Sequence, residues 1–333
     1  MKLVRKRKGR GFAYQFEQGD WLNTSSKKDS AIKAWINSLA IPPAWEDVQI
    51  DLNKNAKVHA VGRDVSGKKQ YIYNPDWRAE RSKQKFQRIQ KFATKLKHMR
   101  RVTGQDLNAP DDGSGKPARR RVLACMVRLI DTAYFRPGNS QYTQENESYG
   151  LTTLRSKHLR IEDDELVFEY NGKSGMAQRK EIEDKRLSKI VEELDELPGH
   201  RIFKYYENGQ RNFVDSEDLN LYIKEIMGDE FSAKDFRSWA GTALMAIALA
   251  ELDITDDQSI RDKNILRSIE KVAKKLGNTP VVCKENYIDS RIIDAYTDGK
   301  TINHIKKSIE LELASDMLSV DEYAILKLLE TSV

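Results

Sequence analysis

Residues 159–182 read LRIEDDELVFEYNGKSGMAQRKEI. Apolar and polar side chains alternate along this stretch, the period of strands with one buried face. Two turns interrupt it, the second being Asn171-Gly172-Lys173-Ser174-Gly175. A small three-stranded sheet is therefore predicted. It stands out because its surroundings carry the helical period. Helices are predicted over Arg121–Tyr134, Asp184–Leu197, Ser216–Met227, Ala233–Ala250, Ser259–Leu276 and Ser315–Thr331. The C-terminal part thus reads as helical with one sheet inserted.

Toward the N-terminus comes a polar segment, Thr103–Pro117, rich in Asp, Gly, Pro and Asn and expected to be a loop near a domain junction. Before it, Trp77, Phe86, Ile89, Phe92, Ala93, Leu96 and Met99 share one helical face. The opposite face is basic: Arg78, Arg81, Lys83, Lys85, Arg88, Lys91, Lys95 and Arg100. Residues 1–75 read as β-rich. GFAYQF and VQIDL are strand candidates, Ser30–Ala40 is a helix stopped by Pro42-Pro43, and Lys57–Tyr73 is a hairpin turning at Asp64–Gly67. The expectation is an α+β protein: a small β-rich N-terminal domain over 1–90 and a larger, mainly α-helical domain over 91–333. No internal repeat is found.

The 333 residues carry 57 Lys+Arg and 51 Asp+Glu, a formal +6. That charge is unevenly spread. Residues 1–100 hold 23 Lys/Arg and 9 Asp/Glu, and the remainder 34 and 42, so +14 faces −8. A basic N-terminal third points to a polyanion, most simply nucleic acid; a solvated surface with a basic tail explains the charge equally well. No apolar run approaches the roughly 18 residues of a membrane span. MKLVRKRKGR has no apolar segment behind it, so no secretory signal is expected. Two cysteines, Cys125 and Cys283, make no disulfide framework, and a reducing compartment is expected.

Several chemistries lack an anchor. Gly62-Arg-Asp-Val-Ser-Gly67-Lys68 follows most of a phosphate-binding loop, but Lys69 stands where a Ser or Thr should hold magnesium, and the segment joins two strands. His59, His98, His158, His200 and His304 are scattered without ligand spacing. No Gly-x-Ser-x-Gly elbow occurs. Chemistry on a polyanion without metal, nucleotide or other cofactor is the expectation.

Breaking a phosphodiester without metal needs fixed cations for the charge gathering on the non-bridging oxygens, and Arg suits because its fork bonds two oxygens. The leaving oxygen needs a proton, which a Lys can supply. A covalent nucleophile conserves the bond for resealing. The chain offers such a set. Phe135-Arg136-Pro137-Gly138-Asn139 follows an amphipathic helix, and Lys173 sits in the hairpin turn. Lys234-Asp-Phe-Arg237-Ser-Trp239-Ala-Gly-Thr opens an apolar helix, and Leu276-Gly277-Asn278-Thr279-Pro280 shortly precedes Cys283-Lys-Glu-Asn-Tyr287-Ile288.

These blocks, with Gly150-Leu-Thr-Thr-Leu154, resemble the type IB DNA topoisomerases of the small poxvirus and bacterial branch. Ile41-Pro-Pro-Ala-Trp45 and the stretch from Gly62 to Tyr73 are similar to that family's small β-domain, so the resemblance spans nearly the whole chain. It implies that Tyr287 attacks and holds the 3′-phosphate, Arg136 and Arg237 clamp the non-bridging oxygens, Lys173 protonates the leaving 5′ oxygen, and Asn278 donates a hydrogen bond where other branches have His. Asn does not titrate, so less pH dependence near 6.5 is expected. Pro137 replaces the family's usual Val. Gln70, Tyr71 and Tyr73 match family positions that touch DNA; Arg63, Lys68, Lys69, Lys157 and His158 are further DNA-binding candidates. Trp45, Trp77 and Trp239 read as core packing, and Tyr296 is a nearby competitor for the nucleophile. The implied partner is supercoiled duplex DNA, gripped between the two domains of a monomer in cytoplasm, at a nucleoid, or in a viral setting. The alternatives are a tyrosine site-specific recombinase, whose N-terminal domain is helical and which usually carries His-x-x-Arg, and a catalytically silent DNA-binding protein.

Overall fold

The computed structural model describes residues 1–23, 25–110, 115–309 and 318–331. The chain divides into two compact units, Met1–Lys85 and Phe86–Val333.

The first unit contains β1 (Lys2–Lys8), β2 (Gly11–Phe16), α1 (Lys27–Ser38), β3 (Glu46–Asp51), β4 (Val58–Arg63), β5 (Lys69–Tyr73) and the start of α2 (Pro75–Asp106). Its strands form an antiparallel sheet in the order β2-β1-β3-β4-β5. Leu3, Tyr14, Ile36, Val48, Ile50 and Ala60 are its core. The basic N-terminus is a strand, not a tail. Leu3 and Arg5 both point inward, so the usual alternation holds although one inward residue is charged. Arg5 is accommodated because its guanidinium donates to the Trp45 carbonyl at 2.5 Å and the Pro42 carbonyl at 3.1 Å. It also lies 4.1 Å from the Phe12 ring centroid.

The β4–β5 turn is organised by Asp64. Its carboxylate accepts from the Ser66 and Lys68 amides, the Ser66 hydroxyl and the Gln70 amide. The side-chain hydrogen bonds from Ser66 and Gln70 lower its pKa to about 2. This is hairpin chemistry, as the two-strand context predicted.

Helix α2 buries Ile89, Phe92, Ala93, Leu96, Met99 and Thr103. It runs past Thr103, where a loop was expected: Thr103 continues the buried face after Leu96 and Met99, and its hydroxyl is satisfied by the Met99 carbonyl at 2.9 Å. Residues 111–114 of the expected loop lie outside the described residues. Two members of the basic face are not solvent charges: Arg88 pairs with Asp235 at 2.9 Å, and Arg100 with Asp131 and Glu322 at 2.9 and 2.7 Å. Trp77 is only half-buried and stacks on Tyr73, ring centroids 5.2 Å apart, so it is not a core residue.

The second unit continues through α3 (Arg119–Ala133), α4 (Ser140–Asn146), β6 (Leu159–Glu162), β7 (Glu165–Asn171), β8 (Ala177–Glu183), α5 (Lys185–Glu196), β9 (Lys204–Glu207), β10 (Gln210–Phe213), α6 (Ser216–Met227), α7 (Ala233–Ala250), α8 (Gln258–Leu276), α9 (Pro280–Tyr287), α10 (Ser290–Thr297), α11 (Ile302–Ile309) and α12 (Val320–Thr331). Strands β6-β7-β8 form the predicted antiparallel sheet. The β9–β10 hairpin and the short helices α9 to α11 were not anticipated. The last helix starts at Val320 rather than Ser315; residues 315–317 lie outside the described residues. Helix α7 is buried nearly all round, which is why it is the most apolar helix, whereas α3 buries Val122–Val127, Leu129, Ile130 and Ala133 and keeps its arginines toward the surface. Among the described residues no helix is long and apolar enough to cross a membrane.

Candidate active site

Helix α3 stops at Tyr134, which takes a left-handed conformation at φ 61°. Phe135 then enters the core edge-on to Phe168, centroids 5.2 Å apart, leaving Arg136 half-buried at the site. The Arg136 carbonyl accepts from the Leu151 amide at 2.9 Å and the Pro137 carbonyl from the Thr152 amide at 2.7 Å. Two sequence blocks are thereby zipped together. The zipper requires glycine: a β-carbon on Gly150 would lie 2.5 Å from the Gly138 Cα and amide nitrogen. Pro137 offers its carbonyl here, so its missing N–H is not needed.

Helix α8 ends at Gly277, left-handed at φ 62°. Asn278 follows, its amide closing on the Ala273 carbonyl at 2.9 Å. Thr279 caps α9, with Pro280 at the first helical position. The last residue of α9 is Tyr287. Its backbone lies against α7: the Thr242 hydroxyl, whose one proton is shared between the Ser238 carbonyl at 3.0 Å and the Tyr287 carbonyl at 3.3 Å, accepts from the Asp289 amide at 3.1 Å. Gly241, one residue before Thr242, leaves the space the Tyr287 main chain occupies.

Arg237 projects from the first turns of α7 and is 3% exposed. Its guanidinium donates to the Tyr134 carbonyl at 2.5 Å and the Leu276 carbonyl at 2.8 Å, and its Cζ lies 5.1 Å from the Tyr287 ring centroid, within cation–π range. Arg136 donates to the Gly277 carbonyl at 2.9 Å and to Asn278 Oδ1. Burial, with the Arg237 charge adding to it, lowers the Arg136 pKa. Arg237 Nε and Asn278 Nδ2 are both buried without a hydrogen-bond partner. Native folds rarely leave such donors unpaired. Among the described residues neither has a partner: one belongs to the guanidinium beside the Tyr287 ring and the other to the side chain that accepts from Arg136.

Four of the five expected catalytic residues are thus linked: Arg136 to Asn278, and Arg237 to Tyr287. Lys173 stands apart, exposed in the β7–β8 turn. The turn is tied to the site by Gln178, which is 6% exposed. A β-carbon at Gly172 would meet Gln178 Cγ at 2.8 Å, and one at Gly277 would meet its Oε1 at 2.0 Å. Gln178 therefore fills the space between the Lys173 turn and the Asn278 loop. Tyr296, the competing tyrosine, is 2% exposed and hydrogen-bonded to Asn264 and the Asp253 carbonyl, so it is a core residue.

The remaining candidates fall in two places. Arg63, Lys68, Lys69, Gln70, Tyr71 and Tyr73 lie on the β4–β5 hairpin of the first unit. Tyr71 and Tyr73 are 46% and 38% exposed and stack at 5.9 Å. Gln70 spends one amide hydrogen on Asp64, and Arg63 donates to the Gly67 carbonyl. Lys157 and His158 line a cavity of about 530 Å³ with Tyr149, Tyr170 and Gln178 in the second unit. His158 is 9% exposed, and burial, reinforced by the Lys157 and Arg155 charges, lowers its pKa to about 4. At neutral pH it is therefore an uncharged ring with Nδ1 occupied by the Arg155 amide.

Sequence reasoning passed over Gln178, Lys180, Gly241 and Thr242. The signal for the first two was the inward phase of β8, whose buried positions are Gln178, Lys180 and Ile182. Gly241 and Thr242 looked like ordinary members of an apolar helix.

An antiparallel sheet unit joined to a helical unit that carries an Arg–Lys–Arg–Asn–Tyr set is the arrangement the resemblance implied; the helical N-terminal domain of a recombinase is not what is seen. The description "Eukaryotic DNA topoisomerase I, catalytic core" matches residues 74–315, and "Bacterial DNA topoisomerase IB, N-terminal domain" matches residues 11–64. The DNA topoisomerase 1B of Acanthamoeba polyphaga mimivirus is 31% identical over 274 residues, covering 79% of this chain and 80% of that protein. The DNA topoisomerase 1B of Vaccinia virus (strain Copenhagen) is 23% identical, covering 88% and 90%. DNA topoisomerase 1 of Mycosarcoma maydis is 24% identical, covering 93% of this chain but 28% of that larger protein. The chain belongs to the type IB DNA topoisomerase family and is an isomerase that acts on DNA.

Proposed function

We propose that the chain relaxes supercoiled duplex DNA as a monomer, without nucleotide or metal, with Tyr287 as nucleophile. The phenol oxygen bonds to phosphorus and its proton passes to solvent. The P–O5′ bond breaks, and the Lys173 ammonium gives its proton to the departing oxygen. Arg136, Arg237 and Asn278 meet the charge developing on the non-bridging oxygens. Religation reverses each step. One phosphate ester is exchanged for another, so torque in the DNA is the only driving force required. The exposed Tyr71 and Tyr73, with Lys68, Lys69, Gln70 and Arg63, contribute DNA contacts from the first unit, and Lys157 from the second; His158 serves as a neutral hydrogen-bond donor. The enzyme works where its DNA lies, in a nucleoid or in virus-infected cytoplasm.

One observation supports this most strongly: donors buried without a partner among the described residues on Arg237, whose guanidinium lies beside the Tyr287 ring, and on Asn278, which accepts from Arg136. Two unsatisfied N–H groups are costly unless an acceptor arrives, and a phosphodiester presents two non-bridging oxygens. The test is relaxation of negatively supercoiled plasmid in EDTA without nucleotide. Wild-type protein should relax it and Tyr287→Phe should not. Relaxation surviving in Tyr287→Phe would remove Tyr287 from the role, and binding without relaxation would support a silent DNA-binding protein.

A further inference from the structure

At the end of α8 three successive main-chain carbonyls point into the site, and each accepts from a different cation. The Lys275 carbonyl takes Lys180 Nζ at 2.9 Å, the Leu276 carbonyl takes Arg237 at 2.8 Å, and the Gly277 carbonyl takes Arg136 at 2.9 Å. The C-terminal end of a helix has unpaired carbonyls and a partial negative charge, so cations gather there favourably. Two of the three are the proposed phosphate clamp. The third, Lys180, comes from the inward face of β8, is 8% exposed, and has no part in the chemistry above.

We propose that Lys180 is a positioning residue for the arginine clamp, holding the end of α8 at the depth from which Arg136 and Arg237 reach phosphate, and that it takes up a proton when the DNA phosphate enters. The charged groups facing it are Arg237 from α7, Arg136 from the segment after α3, and Lys275 from α8 itself. Strand β7 pairs the uncharged Phe168 with Lys180 and places Tyr170, whose phenol burial pushes up to about 12 and so keeps neutral, opposite Gln178. No carboxylate is among them. Burial first, and then these three cations, push the Lys180 ammonium down to about 7. A neutral amine still donates to the Lys275 carbonyl, so the contact persists in both states while the charge does not. A phosphodiester brings negative charge to the clamp and favours the ammonium; the proton comes from solvent and stays on Nζ until the DNA leaves. A site whose residue 278 does not titrate thus still acquires a pH dependence from Lys180. This inference rests on the reading of Arg136 and Arg237 as the clamp.

The experiment uses full-length protein with lysine labelled at 13Cε. One lysine resonance should titrate near pH 7 and vanish in Lys180→Met. In complex with uncleaved duplex, formed with Tyr287→Phe, its midpoint should rise by about one unit or more, the size expected for a nearby opposite charge. At saturating DNA, single-turnover cleavage by Lys180→Met should fall on the order of 10- to 100-fold, with DNA affinity changed far less; Lys180→Arg, which keeps charge and donors, should recover part of it and show no titration near 7. The wild-type titration needs no variant that folds. No lysine titrating below pH 9, a midpoint indifferent to DNA, or full cleavage by Lys180→Met would overturn the proposal. Cleavage by Tyr287→Phe would instead overturn the underlying site assignment while leaving the lysine titration interpretable.

Discussion

Substituting Gly241 by alanine isolates how tightly α7 holds the nucleophile. In an exposed helix this change would stabilise by about 1 kcal/mol, because glycine is the poorer helix former. At Gly241 the new β-carbon would lie 2.5 Å from the Tyr287 carbonyl oxygen, 2.8 Å from its Cβ and 2.9 Å from its carbonyl carbon. Non-bonded carbon contacts settle near 3.5 Å or more. The Tyr287 backbone must therefore withdraw by roughly 0.7 Å or more. The chain just after it is pinned to α7 by the Asp289 amide, which donates to the Thr242 hydroxyl at 3.1 Å, so it does not move freely. Overpacking of this kind costs about 1–3 kcal/mol, which exceeds the helix-propensity gain. Denaturant unfolding should then show Gly241→Ala equal to or less stable than wild type. A shift approaching 1 Å at a reacting atom is worth up to about 100-fold in rate. Single-turnover cleavage of a short duplex at saturating protein should therefore slow on the order of 10- to 100-fold, with little change in DNA affinity. A variant that cleaves within twofold of wild type, or that is stabilised, would refute the view that α7 sets the position of Tyr287.

Lys173→Ala should cleave a normal 5′-oxygen substrate slowly, and a 5′-bridging sulfur, a better leaving group, should restore the rate; no restoration argues against Lys173 as the proton donor. Asn278→Ala should lower the cleavage rate about 100-fold, the usual loss for one hydrogen-bond donor to a developing oxyanion, and Asn278→His should add a titration near pH 6.5 measurable in the cleavage rate. The folded pKa of His158 lies below its unfolded value, so the unfolded chain binds more protons between about 6.5 and 4 and stability falls as pH drops through that window. Unfolding midpoints across that range should fall less steeply in His158→Gln than in wild type.

The elements that could be read from the sequence are those whose pattern is local. The β7–β8 hairpin, α6 and α7 announce themselves by period and by turn residues within a few positions, and α6 and α7 begin and end where expected. Arg136, Lys173, Arg237, Asn278 and Tyr287 could be singled out because each sits in a recognisable block. What could not be read depends on partners far along the chain. Strand β1 looked like a charged tail because Arg5 points inward, and only carbonyls some 40 residues later make that tolerable. Arg88 and Arg100 looked like ordinary members of a basic helix face until Asp235, 147 positions away, and Glu322, 222 positions away, met them. Gly241 is silent in sequence since its meaning is the proximity of Tyr287, 46 residues on. Lys180 shared its inward phase with Ile182, but nothing local says that its ammonium would stand in line with two arginines.

That line has a consequence for charge. Residues 101–333 carry the acidic excess, 42 Asp/Glu against 34 Lys/Arg. Around Arg136 the side chains that perturb its charge are Arg237 and two tyrosines, with no carboxylate among them. Local positive charge at the site therefore coexists with a net-negative unit, and the acids are spent elsewhere, on pairs such as Asp131 and Glu322 with Arg100.

The most direct measurement is to trap the cleaved complex on a duplex whose 5′ fragment boundary allows the leaving strand to diffuse away, digest the protein, and identify the DNA-bearing peptide by mass spectrometry. The expected result is a single adduct, a 3′-phosphoryl group esterified to Tyr287 within the peptide containing Cys283 to Ile288, absent from Tyr287→Phe. An adduct on another residue, or on the 5′ side of the break, would contradict the assignment of nucleophile and polarity.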